Sequence, residues 1–102
     1  MKSVTPQQFA AIEGAALIDV REPAELDEVR TAQGVPIPMS GFLDRLGELP
    51  EGPLYVLCRS GARSARVTEY LEQQGYDATN IDGGIMAWEA AGLPVLRGPV
   101  VE

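Results

Sequence analysis

Short apolar runs alternate with stretches of helical spacing along the whole chain. Ala16-Leu17-Ile18-Asp19-Val20 and Leu54-Tyr55-Val56-Leu57-Cys58 are continuous apolar segments of strand length, and Asp77 to Ile81 is a third, shorter one. Continuous rather than alternating apolar character predicts strands covered on both faces. Val35-Pro36-Ile37-Pro38 carries two prolines, which lack the N–H that a central strand donates; it is too proline-rich for a central strand unless very short, and is expected at a sheet edge. Helix signals lie between the runs. Thr5-Pro6, with Gln8 three residues after Thr5, predicts an N-cap and a helix to about Glu13, ended by Gly14. Pro23 predicts a short helix through Val29. Ser40 is predicted to cap a helix with Phe42, Leu43 and Leu46 on one side, closed by Gly47 or Pro50. The clearest helix follows Ser64: Val67, Tyr70, Leu71 and Gln74 fall at helical spacing, with Gly75 as its stop. Asp82-Gly83-Gly84 predicts a turn into a last helix through Ile85-Met86-Ala87-Trp88, ended by Gly92.

Strands alternating with helices predict an α/β fold with a largely parallel central sheet and helices on both faces. With 102 residues, the chain is expected to form one domain over residues 1–102. In such sheets, sites form at the carboxyl ends of strands. Asp19-Val20-Arg21 and Cys58 both fall at such ends, so topology points to one crevice.

The charge balance narrows the partners. Fifteen acidic residues against eight basic ones give a formal net charge of −7, which argues against a nucleic-acid binder. Arg59, Arg63 and Arg66 supply three of those eight cations, so positive charge gathers around Cys58. One cysteine and no histidine exclude an internal disulfide, a Cys-x-x-Cys pair, a Cys–His nucleophile and a His-ligated metal site. The N-terminal residues lack the apolar stretch of a signal peptide, and no segment has the length to span a bilayer. A cytoplasmic location, with no membrane partner, is the expectation, and a free thiol fits it.

The candidate chemistry is in Cys58-Arg59-Ser60-Gly61-Ala62-Arg63-Ser64, a strand end, a tight turn and a helix start. A helix N-terminus offers unpaired N–H groups and partial positive charge. A thiolate there has a depressed pKa, and the two arginines of the loop are expected to lower it further. The alternative is a buried structural cysteine, the usual fate of a lone Cys after an apolar strand. Two guanidinium groups and a glycine so close together favour the reactive thiol. By contrast, Asp19 with Arg21 is expected to be a strand-end ion pair or Asx turn, Gly83-Gly84 a positive-φ turn, Trp88 core, and Arg66 a solvated side chain.

Three motifs together resemble the single-domain rhodaneses, a sulfurtransferase family: Leu17-Ile18-Asp19-Val20-Arg21-Glu22-Pro23, Cys58-Arg59-Ser60-Gly61-Ala62-Arg63-Ser64 and Asp82-Gly83-Gly84-Ile85-Met86-Ala87-Trp88, with Ala91-Gly92-Leu93-Pro94-Val95 similar to the family's ending. The resemblance implies transfer of a sulfane sulfur, from thiosulfate or a similar small anionic donor, through a Cys58 persulfide. The acceptor would be cyanide or a thiol, a protein thiol included. It implies that loop amides from Arg59 through Ser60, Gly61, Ala62 and Arg63 to Ser64 hold the persulfide. Arg59 would bind the donor's oxygens, Arg63 would brace the loop through carbonyls or a carboxylate, and no metal or organic cofactor would be needed. One departure stands out: many members carry Gly-His-Ile-Pro-Gly-Ala, whereas this chain has Val29-Arg30-Thr31-Ala32-Gln33-Gly34, with Arg30 at the histidine position. A repacked connection is expected there.

Two other readings share the loop. Phosphatase or arsenate-reductase chemistry also uses a thiolate before a helix, but tyrosine phosphatases use Cys-x5-Arg where this chain has Cys58-x4-Arg63, and no second cysteine serves a reductase shuttle. A sulfur carrier or regulatory module without turnover would use the same persulfide.

Overall fold

A computed structural model describes residues 1–99. The first strand, β1 (Lys2–Val4), leads through a Thr5 cap into helix α1 (Pro6–Ala10). Thr5 Oγ1 accepts from the Gln8 amide at 3.1 Å and Gln8 Oε1 accepts from the Thr5 amide at 2.8 Å, the predicted capping box. The helix is shorter than expected. Strand β2 (Ala16–Asp19), helix α2 (Pro23–Glu28) and the two-residue strands β3 (Val29–Arg30) and β4 (Val35–Pro36) follow. Strand β5 (Leu54–Leu57), helix α3 (Ala62–Gln73), strand β6 (Ala78–Ile81), helix α4 (Gly84–Ala90) and strand β7 (Leu96–Arg97) complete the described residues' elements.

The main sheet has the order β1-β6-β5-β2-β4, and every pair in it is parallel. The apolar β5 therefore sits centrally, with β6 and β2 on either side, while the proline-bearing β4 takes the edge as predicted. Successive residues of a strand face opposite ways. Leu54 and Val56 join Ile18, Val20, Phe42, Val67 and Leu71 in one buried cluster. On the other face, Leu57 joins Leu17, Ile81, Phe9, Ile85 and Trp88. Helices thus cover both faces, and each fully buried aliphatic or aromatic side chain contributes about 1.5–3 kcal/mol. Cys58, two residues beyond Val56, belongs to the first cluster and is 1% exposed.

Several expectations need correction. Residues Met39–Glu48 form a 3₁₀ segment rather than an α-helix, broken at Gly41 and Arg45, where φ reaches −122° and −121°. Ser40 lies inside it and does not cap; its hydroxyl donates to Glu22 Oε1 at 2.7 Å. Phe42 is buried but Leu43 is 64% exposed, so the three apolar residues do not share a face. Val29 leaves the α2 helix for β3, which pairs antiparallel with β7. That pairing explains Arg30: its Nη1 donates to the Gly98 carbonyl at 2.7 Å and to the Leu26 carbonyl at 3.3 Å, tying the end of α2 to the C-terminal segment. Among the described residues, no helix is long and apolar enough to cross a membrane, and no cluster of potential metal ligands occurs.

Candidate active site

Strand β5 carries the chain to Cys58 at the carboxyl edge of the sheet, beside the end of β2, where the Val20 amide donates to the Leu57 carbonyl at 2.9 Å. The next four residues must reverse direction and start α3. Gly61 makes this possible, with φ +104° at the N-cap of α3; a Cβ there would lie 3.2 Å from the Gly83 nitrogen. The turn wraps around the sulfur. Cys58 Sγ accepts from the Gly61 amide at 3.0 Å and from the Ser64 hydroxyl at 3.3 Å. Burial pushes the thiol up and is the largest single influence. The Ser64 hydroxyl and the amides of Ser64, Gly61 and Ser60 together outweigh it, so the thiol lies below its ordinary value of 9.0.

The amides of the loop and helix start contribute to this activation, as the motif predicts. Arg63 and the Cys58 thiolate attract one another, but the hydrogen bonds to sulfur weigh more than any arginine. Arg63 is engaged elsewhere, its Nη1 and Nη2 donating to Glu25 Oε1 and Oε2 at 2.6 and 2.8 Å. Arg59 and Arg66 are exposed. Arg21 is 1% exposed and spent on Asp19: Nη2 donates to Oδ2 at 2.8 Å and Nε to Oδ1 at 3.0 Å. The Arg21 amide also donates to Asp19 Oδ1 at 3.0 Å, so the pair is both the ion pair and the Asx turn foreseen. Trp88 is core, its Nε1 donating to the Pro94 carbonyl at 3.0 Å.

Of the seven loop residues singled out in the sequence, the structure brings Cys58, Ser60, Gly61 and Ser64 around the sulfur through side chain or amide. Ala62 is exposed and opens α3, and Arg63 braces the loop through a carboxylate. Arg59 lines a cleft of about 350 Å³ beside the loop, together with Arg21, Arg97, Met86 and the carboxylates Glu25, Glu28 and Glu89. Three further residues hold the loop without having been singled out for it. Glu25 receives Arg63. Gly84 lets the start of α4 approach, so that the Ile85 and Met86 amides donate to the Cys58 and Arg59 carbonyls at 2.9 and 3.1 Å. Asn80, in β6, donates to the Gly61 carbonyl at 3.4 Å. The capping pattern of α2 marks Glu25 as its third residue, and the double glycine marks Gly84; nothing local marks Asn80.

The Arg63–Glu25 pair ties α3 to α2 across the loop. Its Arg63 hydrogen bonds, helped by the Glu22 amide, hold the Glu25 carboxyl down at about 2, against an ordinary 4.5. A carboxylate depressed in the fold contributes stability that is fully present above pH 4.5 and lost as pH falls through about 2. Glu25→Gln should therefore melt below wild type at neutral pH, with the difference shrinking from pH 4.5 downward. Thermal melts at stepped pH measure it, and a gap independent of pH would remove the ion pair as its cause. Both partners are about one-third exposed, so solvent screening keeps the effect modest.

The comparisons with known proteins agree with this architecture. The model of the rhodanese-like domain family matches residues 5–91. A sulfurtransferase of Allochromatium vinosum is 39% identical over 92 residues, spanning 88% of this chain and 86% of the relative. The thiosulfate sulfurtransferase GlpE of Pseudomonas syringae is 32% identical over 91 residues, spanning 85% and 86%. Among solved structures, a rhodanese-related protein from Thermoplasma volcanium matches with a TM-score of 0.87 at 32% identity, over 94% of this chain and 98% of that one. With a parallel sheet, a cysteine loop at its carboxyl edge and relatives matching along most of its length, the chain belongs to the rhodanese-like family of sulfurtransferases.

Proposed function

We propose that residues 1–102 act as one thiosulfate sulfurtransferase domain with Cys58 as its nucleophile. The observation that carries the reading is the ring of donors on Cys58 Sγ: the Gly61 amide at 3.0 Å, the Ser64 hydroxyl at 3.3 Å and a thiol lowered despite its burial. Donors aimed at sulfur stabilise a thiolate, and afterwards the negative outer sulfur of a persulfide.

The Cys58 thiolate attacks the outer sulfur of thiosulfate. A new S–S bond forms, the bond to the sulfonate sulfur breaks, and sulfite leaves with the electron pair. Charge is conserved: a thiolate and a dianion become a persulfide anion and sulfite. In the second half, cyanide or a thiolate attacks the outer sulfur and the Cys58 thiolate departs. Arg59 serves the dianionic donor from the neighbouring cleft, being the loop's cation whose guanidinium, among the described residues, does not already hold a carboxylate. Arg63 positions the loop and does not meet the donor. The name of the Pseudomonas relative supports thiosulfate as donor.

Intact-protein mass tests the reading. Thiosulfate should add the mass of one sulfur, and cyanide should remove it with release of thiocyanate. The Arg59→Ala variant should need more thiosulfate for the same loading. Absence of any gain would overturn thiosulfate as donor and favour a carrier loaded by a persulfidated partner.

A further inference from the structure

Asn80 is 4% exposed, and its side-chain oxygen Oδ1 is buried without a hydrogen-bond partner among the described residues. An orphaned buried amide oxygen is a cost that an apolar side chain at this position would not carry. The other end of the side chain has a partner: Nδ2 donates to the Gly61 carbonyl at 3.4 Å. That carbonyl has more donors than it can use. The Ala65 amide donates to it at 3.1 Å, and the Ser64 hydroxyl is also placed to donate to it at 3.2 Å. A carbonyl oxygen offers two lone pairs, so the two nitrogen donors fill it without the serine. The Ser64 hydroxyl, in turn, has one proton and two acceptors in reach, the Gly61 carbonyl at 3.2 Å and Cys58 Sγ at 3.3 Å. Ser64 is fully buried, and its carbonyl accepts from Thr68 Oγ1 at 2.7 Å within helix α3.

We propose that Asn80 is a positioning residue for the sulfur: by occupying the Gly61 carbonyl, its amide leaves the single Ser64 proton for the Cys58 thiolate. Asn80 acts through Gly61 and Ser64 and touches neither donor nor acceptor. The role deepens the sulfurtransferase reading and rests on it for its use in catalysis, but ionisation of Cys58 can be measured separately.

The test is the pH dependence of iodoacetamide alkylation of Cys58, the sole cysteine, in wild type, Asn80→Leu, Ser64→Ala and the double variant. Arg59, the Arg63–Glu25 pair and the Arg21–Asp19 pair are unchanged throughout. Leucine matches asparagine in shape and removes both the donor and the orphaned oxygen. The alkylation midpoint should rise by about half to one pH unit, which is about three- to tenfold less thiolate below the midpoint. The melting temperature should stay at or above that of wild type, a split that a merely structural residue would not produce. Ser64→Ala should raise the midpoint at least as much, and adding Asn80→Leu to it should raise it no further. An unmoved midpoint in Asn80→Leu, or an equal shift in the Ser64→Ala background, would overturn the role. Should leucine prevent folding, the wild type supplies a second readout: the Asn80 side-chain NH₂ resonances should titrate with the Cys58 midpoint, and resonances that do not move would also overturn it. A failure of the sulfurtransferase reading would look different, with normal midpoints and no persulfide from thiosulfate.

Discussion

Cys58→Ser should lose sulfur transfer by at least about a thousandfold while keeping the fold. Serine is close to cysteine in size, and its oxygen can accept from the Gly61 amide that now meets Sγ at 3.0 Å. The position is 1% exposed within a buried cluster, so the swap should cost only about 1–2 kcal/mol. What disappears is the nucleophile. A hydroxyl is not ionised by three amides and a serine, and no histidine exists in the chain to take its proton. The variant should therefore gain no mass from thiosulfate and release no sulfite. A stability signature accompanies the loss. The folded protein holds the thiol below 9.0, so the thiolate contributes stability that is fully present above 9.0 and fades as pH falls through the folded value. Wild type should gain on Cys58→Ser as pH rises through that window. Retained turnover in the variant would remove Cys58 from the reaction, and a gap that stays flat with pH would remove the cradle's preference for the anion.

Much of this arrangement is legible in the sequence because it is local. Thr5 and Gln8 meet within one turn, Gly61 takes a positive φ within the motif that contains it, and the apolar runs of β2 and β5 declare buried strands. The parts not legible in advance depend on residues far apart in the chain. Arg63 reads as a cation free to meet a donor until Glu25, thirty-eight residues earlier, turns out to hold its guanidinium. Arg30 reads as a departure from a family pattern until β7 brings the Gly98 carbonyl to it. Strand β1 escapes notice because it is three residues long with two of them exposed, and only its pairing with β6 makes it a strand. The segment after Ser40 has apolar residues at helical spacing, but Gly41, Gly47 and the break at Arg45 keep it in short 3₁₀ turns. Local pattern thus locates the sulfur and its turn; tertiary partners decide which charges remain available to a donor.

Gly84→Ala should be the most damaging single methyl in the chain's candidate site. The reading of Gly83-Gly84 as a positive-φ turn is borne out at +76° and +58°, but conformational freedom is only half of what Gly84 supplies. A Cβ on Gly84 would stand 2.4 Å from the Cys58 carbonyl oxygen and 2.5 Å from the Arg59 carbonyl carbon and oxygen. All three are backbone atoms of the cysteine loop and cannot rotate aside. They are also the carbonyls that accept from the Ile85 and Met86 amides, so pushing them away breaks the contact between α4 and the loop. Left-handed backbone at a non-glycine residue costs about 1–2 kcal/mol, and overpacking adds about 1–3 kcal/mol. For a domain of this size the sum lowers the melting temperature by about 10 °C or more. Gly14→Ala separates the two costs, since Gly14 has φ +71° and nothing within 4 Å of its added Cβ. It should show the conformational cost alone and full sulfur loading. Gly84→Ala should melt well below it, and its folded fraction should load sulfur slowly, because the amides around Sγ follow the displaced carbonyls. If the two variants melt together and load alike, the close approach of α4 is not what holds the loop.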